Sequence, residues 1–226
     1  MLNYEVDPAL LERFVPRGTE VDSFAEKTYA SLVGFRFLRT RLAGFLAVPF
    51  HSNFDEVNLR FYVRRDVGGE RRRGVVFVKE IVPRTLIAAV ARAIYGEKYE
   101  RSPMRHAVTR TGGSISTSYE WQFRGEGCVL SGNATGAPAF CAERSLKQFI
   151  TEHYWGYSSL PNGGALEYQV THVPWRVWTS TDAKFTGDGD ALYGPGFGEA
   201  LRCRPASAFI AEGSVVNVHW GQKIAS

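Results

Sequence analysis

Between Glu56 and Arg65 the chain alternates with a period of two. Val57, Leu59, Phe61 and Val63 are apolar, and Asn58, Arg60, Tyr62 and Arg64 stand between them. Only a strand with two unlike faces satisfies that pattern. A turn at Gly68-Gly69 leads into GVVFVKEIV at 74–82, rich in β-branched residues, and the two segments predict a hairpin with a longer loop. Charged groups interrupt these apolar stretches as three clusters: Glu56/Asn58/Arg60, Lys79/Glu80/Arg84 and Glu97/Lys98. Ionised side chains inside such elements must be paired or must face a polar cavity, because burying them alone is costly. The segment from Phe50 to Met104 is therefore where a lined pocket is expected.

Strand signals dominate the rest of the chain. Asp7 followed by Pro8 predicts a short helix over 8–14, ended by Pro16 and Gly18. Strands are expected at 28–37, 104–110, 114–123, 127–134, 166–173, 176–184 and 214–220, with Gly112-Gly113 and Gly125-Glu126-Gly127 as hairpin turns. Thr85 caps a helix running to about Tyr95, and Gly96 ends it. Ser145 with Gln148 forms a capping box for a helix spanning SLKQFITEHYW. The glycine-rich run 187–198 reads as a loop. Some nine short strands joined mostly by hairpins, with three helices, predict an antiparallel α+β or barrel architecture, treated as one domain over 1–226.

Composition narrows the function classes. The chain has 226 residues, 44% of them hydrophobic and 13% aromatic, which is globular composition. No run of about 18 uncharged apolar residues exists, so no membrane partner is expected. The N-terminus lacks a basic region followed by an apolar run and is not read as a signal peptide. Cys128, Cys141 and Cys203 lack metal-type spacing and read as reduced thiols of a cytoplasmic bacterial protein. A net charge of +4 raises nucleic acid as a partner. The excess sits largely in Arg64-Arg65 and Arg71-Arg72-Arg73 beside a hairpin turn, with no recognition motif, so nucleic-acid binding is not expected. His51, His106, His153, His172 and His219 are scattered, without zinc-type spacing, and no dinucleotide or phosphate-loop fingerprint occurs. Neither a metal nor a cofactor is expected.

The charged clusters admit two readings each. The Glu56, Asn58, Arg60 and Tyr62 face either meets solvent or lines a barrel lumen. Lys79 and Glu80 are adjacent and point to opposite faces, Glu80 with Val76 and Val78, Lys79 with Phe77 and Ile81; Arg84 is a partner for one of them. Lys98, just past a helix end, either complements the helix dipole or is a desolvated amine able to attack a carbonyl.

NYEVDPALL, PFHSNFDEVNLRFYV, VVFVKEIVPR, the YGEKY and SPMRH pair, EHYWGY and VTHVPWRVW together resemble the YqjF-like family of uncharacterised bacterial proteins, grouped with the acetoacetate decarboxylase-like fold. The resemblance implies a cone-shaped antiparallel β-barrel with outer helices and a polar interior. It also implies that Phe54-Asp55-Glu56 is the aromatic-x-Glu run that lines the cavity, with Glu56, Asn58 and Arg60 inward. Acetoacetate decarboxylase uses a lysine whose pKa is lowered by its surroundings, an established example of nucleophile activation. Here Tyr95-Gly96-Glu97-Lys98 stands where that enzyme has Tyr-Pro-Lys-Lys, so Glu97 replaces the nucleophile. A carboxylate cannot form an imine, which counts against Schiff-base decarboxylation.

Two functions follow. One is cofactor-independent lyase or isomerase chemistry on a small oxo-acid, with Glu56, Glu97 and Lys98 catalytic and Asn58, Arg60, Lys79, Glu80 and Arg84 binding the substrate. The other is a non-catalytic protein that binds a small molecule, a carboxylate, in the same cavity. The sequence does not choose between them, and it leaves the oligomeric state open, a homo-oligomer included.

Overall fold

The computed structural model describes residues 1–38, 41–42, 46–47, 53–83, 99–161 and 163–224. In chain order the strands are β1 (Leu2–Glu5), β2 (Glu20–Val21), β3 (Tyr29–Phe37), β4 (Arg41–Leu42), β5 (Leu46–Ala47), β6 (Phe54–Val67), β7 (Glu70–Val82), β8 (Tyr99–Arg101) and β9 (Met104–Thr111). They continue as β10 (Ser114–Phe123), β11 (Glu126–Thr135), β12 (Trp155–Ser159), β13 (Ala165–Thr171), β14 (Val177–Thr179), β15 (Asp182–Thr186), β16 (Ser207–Ala211), β17 (Asn217–Val218) and β18 (Gln222–Ile224). The described helices are α1 (Leu146–Thr151), α2 (Gly189–Tyr193) and α3 (Phe197–Arg202).

A 12-stranded sheet follows the path β14-β16-β1-β3-β6-β7-β12-β13-β17, with β2 also on β6, β8 on β7 and β18 on β13. A second sheet runs β15-β11-β10-β9. β7 pairs in parallel with β8 and with β12, and the other ladders are antiparallel. Among the described residues neither sheet closes on itself, so the expected barrel is not present there as a hydrogen-bonded ring. What the ladders form is two open sheets facing each other, with β4 and β5 as a separate two-stranded pair.

The apolar row of β6 explains why they face. Val57, Leu59, Phe61 and Val63 are fully buried and join one core with Tyr119, Trp121, Phe123, Cys128 and Leu130 of the second sheet, closed at one end by Leu192, Tyr193, Phe197 and Leu201 of α2 and α3. The opposite face of β6 is covered at its Tyr62 end by α1, whose Phe149 and Ile150 pack with Tyr29, Tyr62, Val75 and Phe209. Both faces of β6 are thus covered over residues 54–63, with Arg60 half-buried among them, and its burial is continuous from Phe54 to Leu59. That decides the polar face of this strand: it is inside.

Several expected elements change for local reasons. The helix expected at 8–14 is two 3-10 turns, Pro8–Leu10 and Glu12–Phe14, although Asp7 does accept from the Ala9 amide at 2.9 Å. The Ser145 cap forms, with the Gln148 amide donating to its hydroxyl at 3.2 Å, but α1 stops at Thr151 because Trp155–Ser159 is drawn into pairing with β7 and β13. The strand expected at 176–184 splits, β14 joining the larger sheet and β15 the smaller. Inside the presumed loop at 187–198, Asp188 caps α2 by accepting from the amides of Asp190 and Ala191. The strand expected at 214–220 shrinks to Asn217–Val218. The helix expected at 85–95 lies outside the described residues.

Close approach of the two sheets depends on Gly34 in β3, where a Cβ would lie 2.6 Å from Cδ2 of Tyr119. Gly34→Val is expected to destabilise the protein by about 1–3 kcal/mol through overpacking, seen as a lowered urea midpoint at constant slope.

Candidate functional site

Glu56 and Asn58 project from one face of β6, and the antiparallel register places Asn58 opposite Glu80 of β7. The parallel ladder then places Tyr99 of β8 opposite Glu80. Residues paired across strands share a face, so three strands deliver four polar groups to one place. Asn58 Nδ2 donates to Glu56 Oε1 at 2.9 Å, and the Tyr99 hydroxyl reaches Glu56 Oε2 at 3.5 Å. Glu56 and Glu80 are joined by a side-chain hydrogen bond. Exposure is 1% for Glu56, 0% for Asn58 and 2% for Glu80, which takes these groups out of bulk solvent.

Two carboxyl groups can hydrogen-bond to each other only when one of them keeps a proton. Burial pushes the Glu56 carboxyl up to about 7; its hydrogen bonds with Asn58, Glu80 and Tyr99 and the charge of Arg60 pull the other way and do not overcome it. The pair therefore holds a proton near neutrality and can give or take it, which is the requirement for general acid–base work.

A β-bulge makes this meeting possible. Leu59 lies opposite Lys79, but Arg60 lies opposite Phe77, so Val78 is the extra residue. The face assignment reverses across it: Glu80 shares a face with Phe77, whereas strict alternation groups it with Val76 and Val78. Lys79 is carried to the other face, its Nζ 2.9 Å from Glu100 and 5.1 Å from the Phe123 ring centroid. It does not join Glu56.

Arg60 is the next residue along the polar row. Its Nη2 donates to the Ile150 carbonyl at 3.4 Å, and its guanidinium carbon lies 5.9 Å from the Tyr62 ring centroid. Beyond it the row ends in neutral hydrogen bonds: the hydroxyls of Tyr62 and Ser31 are 2.6 Å apart, and Ser31 donates to Asn3 Oδ1 at 2.7 Å. Arg84, Glu97 and Lys98, three further candidate residues, lie outside the described residues, as does His51. Of the sequence-derived set, the structure thus brings Glu56, Asn58 and Glu80 together, puts Arg60 beside them and takes Lys79 away. Tyr99 was not among the candidates; only the parallel β7–β8 ladder identifies it, and no local pattern announces such a pairing.

Other buried or half-buried carboxylates have cationic neighbours. Glu167 accepts from Arg72 at 2.6 Å, from Arg65 at 3.1 Å and from the Tyr157 hydroxyl at 2.9 Å. Asp22 pairs with Arg73 at 2.7 Å. Asp55, on the inter-sheet face, has Arg36 Nε at 3.9 Å and meets His106 Nδ1 at 2.9 Å. The remaining arginines of the two basic runs, Arg64 and Arg71, pair with Glu20 and Asp66. Among the described residues no group of three or more His, Cys, Asp and Glu side chains is placed to hold a metal ion, and no helix is long and apolar enough to cross a membrane. An open groove of about 260 Å³ bordered by Arg110, Gly112, Gly113 and Trp178 does not include the Glu56 cluster.

The sequence profile of DUF2071, described as an uncharacterised conserved protein, matches residues 1–214. The chain belongs to the DUF2071 family. The uncharacterised protein YqjF of Bacillus subtilis (strain 168) is 24% identical over 177 residues, covering 77% of this chain and 70% of that protein. Solved structures extend the comparison to the fold. Acetoacetate decarboxylase from Legionella pneumophila aligns with a TM-score of 0.65 at 12% identity, over 99% of this chain and 83% of its own. The enduracididine biosynthesis enzyme MppR complexed with pyruvate aligns at 0.65 and 15%, over 98% and 86%. An acetoacetate decarboxylase-like enzyme from Sphingomonas wittichii RW1 aligns at 0.57 and 14%, over 98% and 86%. This DUF2071 protein therefore has an acetoacetate decarboxylase-like fold of mixed, mostly antiparallel sheets.

The raised Glu56 carboxyl has a consequence for stability. Its folded-state value lies above the ordinary 4.5, so the folded protein holds a proton that the unfolded chain has released. Stability should fall as pH rises from about 4.5 through about 7. Urea unfolding across that range is expected to show this slope in the wild type and a shallower one in Glu56→Gln.

Proposed function

We propose that this protein is a cofactor-independent enzyme that moves a proton next to the carbonyl of a small oxo-acid, in lyase or isomerase chemistry. The observation that carries the reading is the Glu56–Glu80 hydrogen bond, shielded from bulk solvent and with a proton value near neutrality. In this reading Glu56 takes a proton from the carbon beside the carbonyl and returns it, Glu80 holds the proton that the pair shares, and Tyr99 and Asn58 orient Glu56. Arg60, the cation that acts on Glu56 through its charge, holds the carboxylate of the substrate. The barrel of the acetoacetate decarboxylase-like fold belongs to the proposal as the frame enclosing the site, supported by the alignment of nearly the whole chain with enzymes of that fold. Imine formation is outside it, because Glu97 stands where those decarboxylases have lysine. Lys98 remains the amine to test, and borohydride with an oxo-acid should leave it unmodified.

Pyruvate is the first probe, being the ligand of one structural neighbour. In deuterated buffer the protein is expected to exchange the methyl protons of pyruvate, followed by NMR, and Glu56→Gln is expected to slow this at least about 100-fold. Exchange at the same rate in the variant rejects Glu56 as the base. A second reading, a carboxylate-binding protein without turnover, is favoured by the neutral hydrogen bonds that Glu56 already accepts. It predicts a raised melting temperature with small carboxylates and no exchange.

A further inference from the structure

The Arg60 side of the site carries polar atoms with no hydrogen-bond partner: Asn58 Oδ1, Arg60 Nε and both ring nitrogens of His153. His153 is only 7% exposed. Its ring stacks on Tyr62 at 4.6 Å between centroids and stands edge-on to Phe149 at 5.4 Å. Arg60 lies over the same Tyr62 ring, so one aromatic plate carries both the imidazole and the guanidinium. Phenylalanine would make both ring contacts without burying two polar atoms. Packing accounts for the ring at this position but not for its nitrogens, which carry the full cost of lost hydration.

Burial, with the positive charges of Arg73 and Arg60, holds the His153 imidazole well below its usual pKa and hence neutral. A neutral imidazole presents one N–H and one lone pair. Arg60 Nε adds a second N–H, and Asn58 Oδ1 a second acceptor. Two donors beside a fixed positive charge suit a carboxylate, and either acceptor suits the single O–H of a hydroxyl. We propose that Arg60 and His153 form a recognition position for a small 2-hydroxy acid, with the carboxylate on Arg60 and the hydroxyl on His153. This deepens, and rests on, the reading of Glu56 as the group that acts on the same molecule: an oxo-acid that has lost a carbon-bound proton is an enolate, and a proton returned to its oxygen by the Glu56–Glu80 pair makes it an enol, which carries a hydroxyl.

Glycolate and acetate differ by that hydroxyl and serve as the probe pair. Titration of the full chain, followed by calorimetry and by ¹⁵N signals of the histidine rings, is expected to show glycolate binding at least about tenfold more tightly than acetate. The ring nitrogens of His153 should shift with glycolate and not with acetate. In His153→Phe, which keeps the stack on Tyr62, the ratio should fall to near one. An unchanged ratio in the variant, a wild type without the preference, or a wild type that binds neither acid overturns the inference. Should the variant fail to fold, the wild-type ring signals decide alone. Pyruvate exchange without a glycolate preference removes this inference and leaves the acid–base reading standing. A His153-dependent preference without exchange does the reverse.

Discussion

Two carboxyl groups on neighbouring strands, Glu56 and Glu80, lie buried against each other, and a proton kept between them relieves the repulsion of two like charges. The surrounding architecture serves this contact. The antiparallel ladder of β6 and β7 brings the strands together, the bulge at Val78 turns Glu80 toward Asn58, and the parallel ladder of β8 adds Tyr99. The apolar side of the same strands is the main core, so the polar side cannot be turned outward without dismantling it.

Other buried acids in the protein are handled differently, and the difference separates scaffold from candidate site. Glu167 has two arginines and a tyrosine hydroxyl, and Asp22 has Arg73. Those charges are neutralised at contact distance and tie strands to one another. Glu56 has hydrogen bonds from uncharged donors and from a second acid, with Arg60 acting through its field alone. An ion pair fixes a charge in place; a shared proton leaves it movable. The second is what chemistry requires.

The polar face of β6 continues past Arg60 into a region of different character. Tyr62, Ser31 and Asn3 satisfy one another without charge, and α1 closes over them. Arg60 stands at the boundary between the proton-sharing pair and this neutral row, touching the last turn of α1 through the Ile150 carbonyl. α1 is held at its start by the Ser145 cap and is cut short by the strand that follows, which leaves His153 in the connection, laid flat on Tyr62.

Much of this was legible from residue order alone. The alternation at 56–65, the Gly68-Gly69 turn and the glycine-bounded hairpins at 104–134 specify strands because side chains alternate with a period of two and glycine accepts the turn geometry. The Ser145 cap was legible for a similar reason, being a contact across three residues. Burying Glu56, Asn58 and Glu80 was suggested by charges in apolar runs, but no local rule brings them together. β1 and β16 went unannounced because each is short and exists only by pairing with distant partners, and Tyr99 was invisible because a parallel neighbour leaves no mark in sequence spacing. What the sequence by itself determined was the set of strands, their turns and a reserve of polar groups that had to be satisfied indoors, all of them consequences of short-range geometry and of the cost of burying charge. Which of those groups meet was decided only by tertiary structure, because strand register and one extra residue at Val78 set the facing of side chains, and register is the outcome of the whole sheet closing on its core.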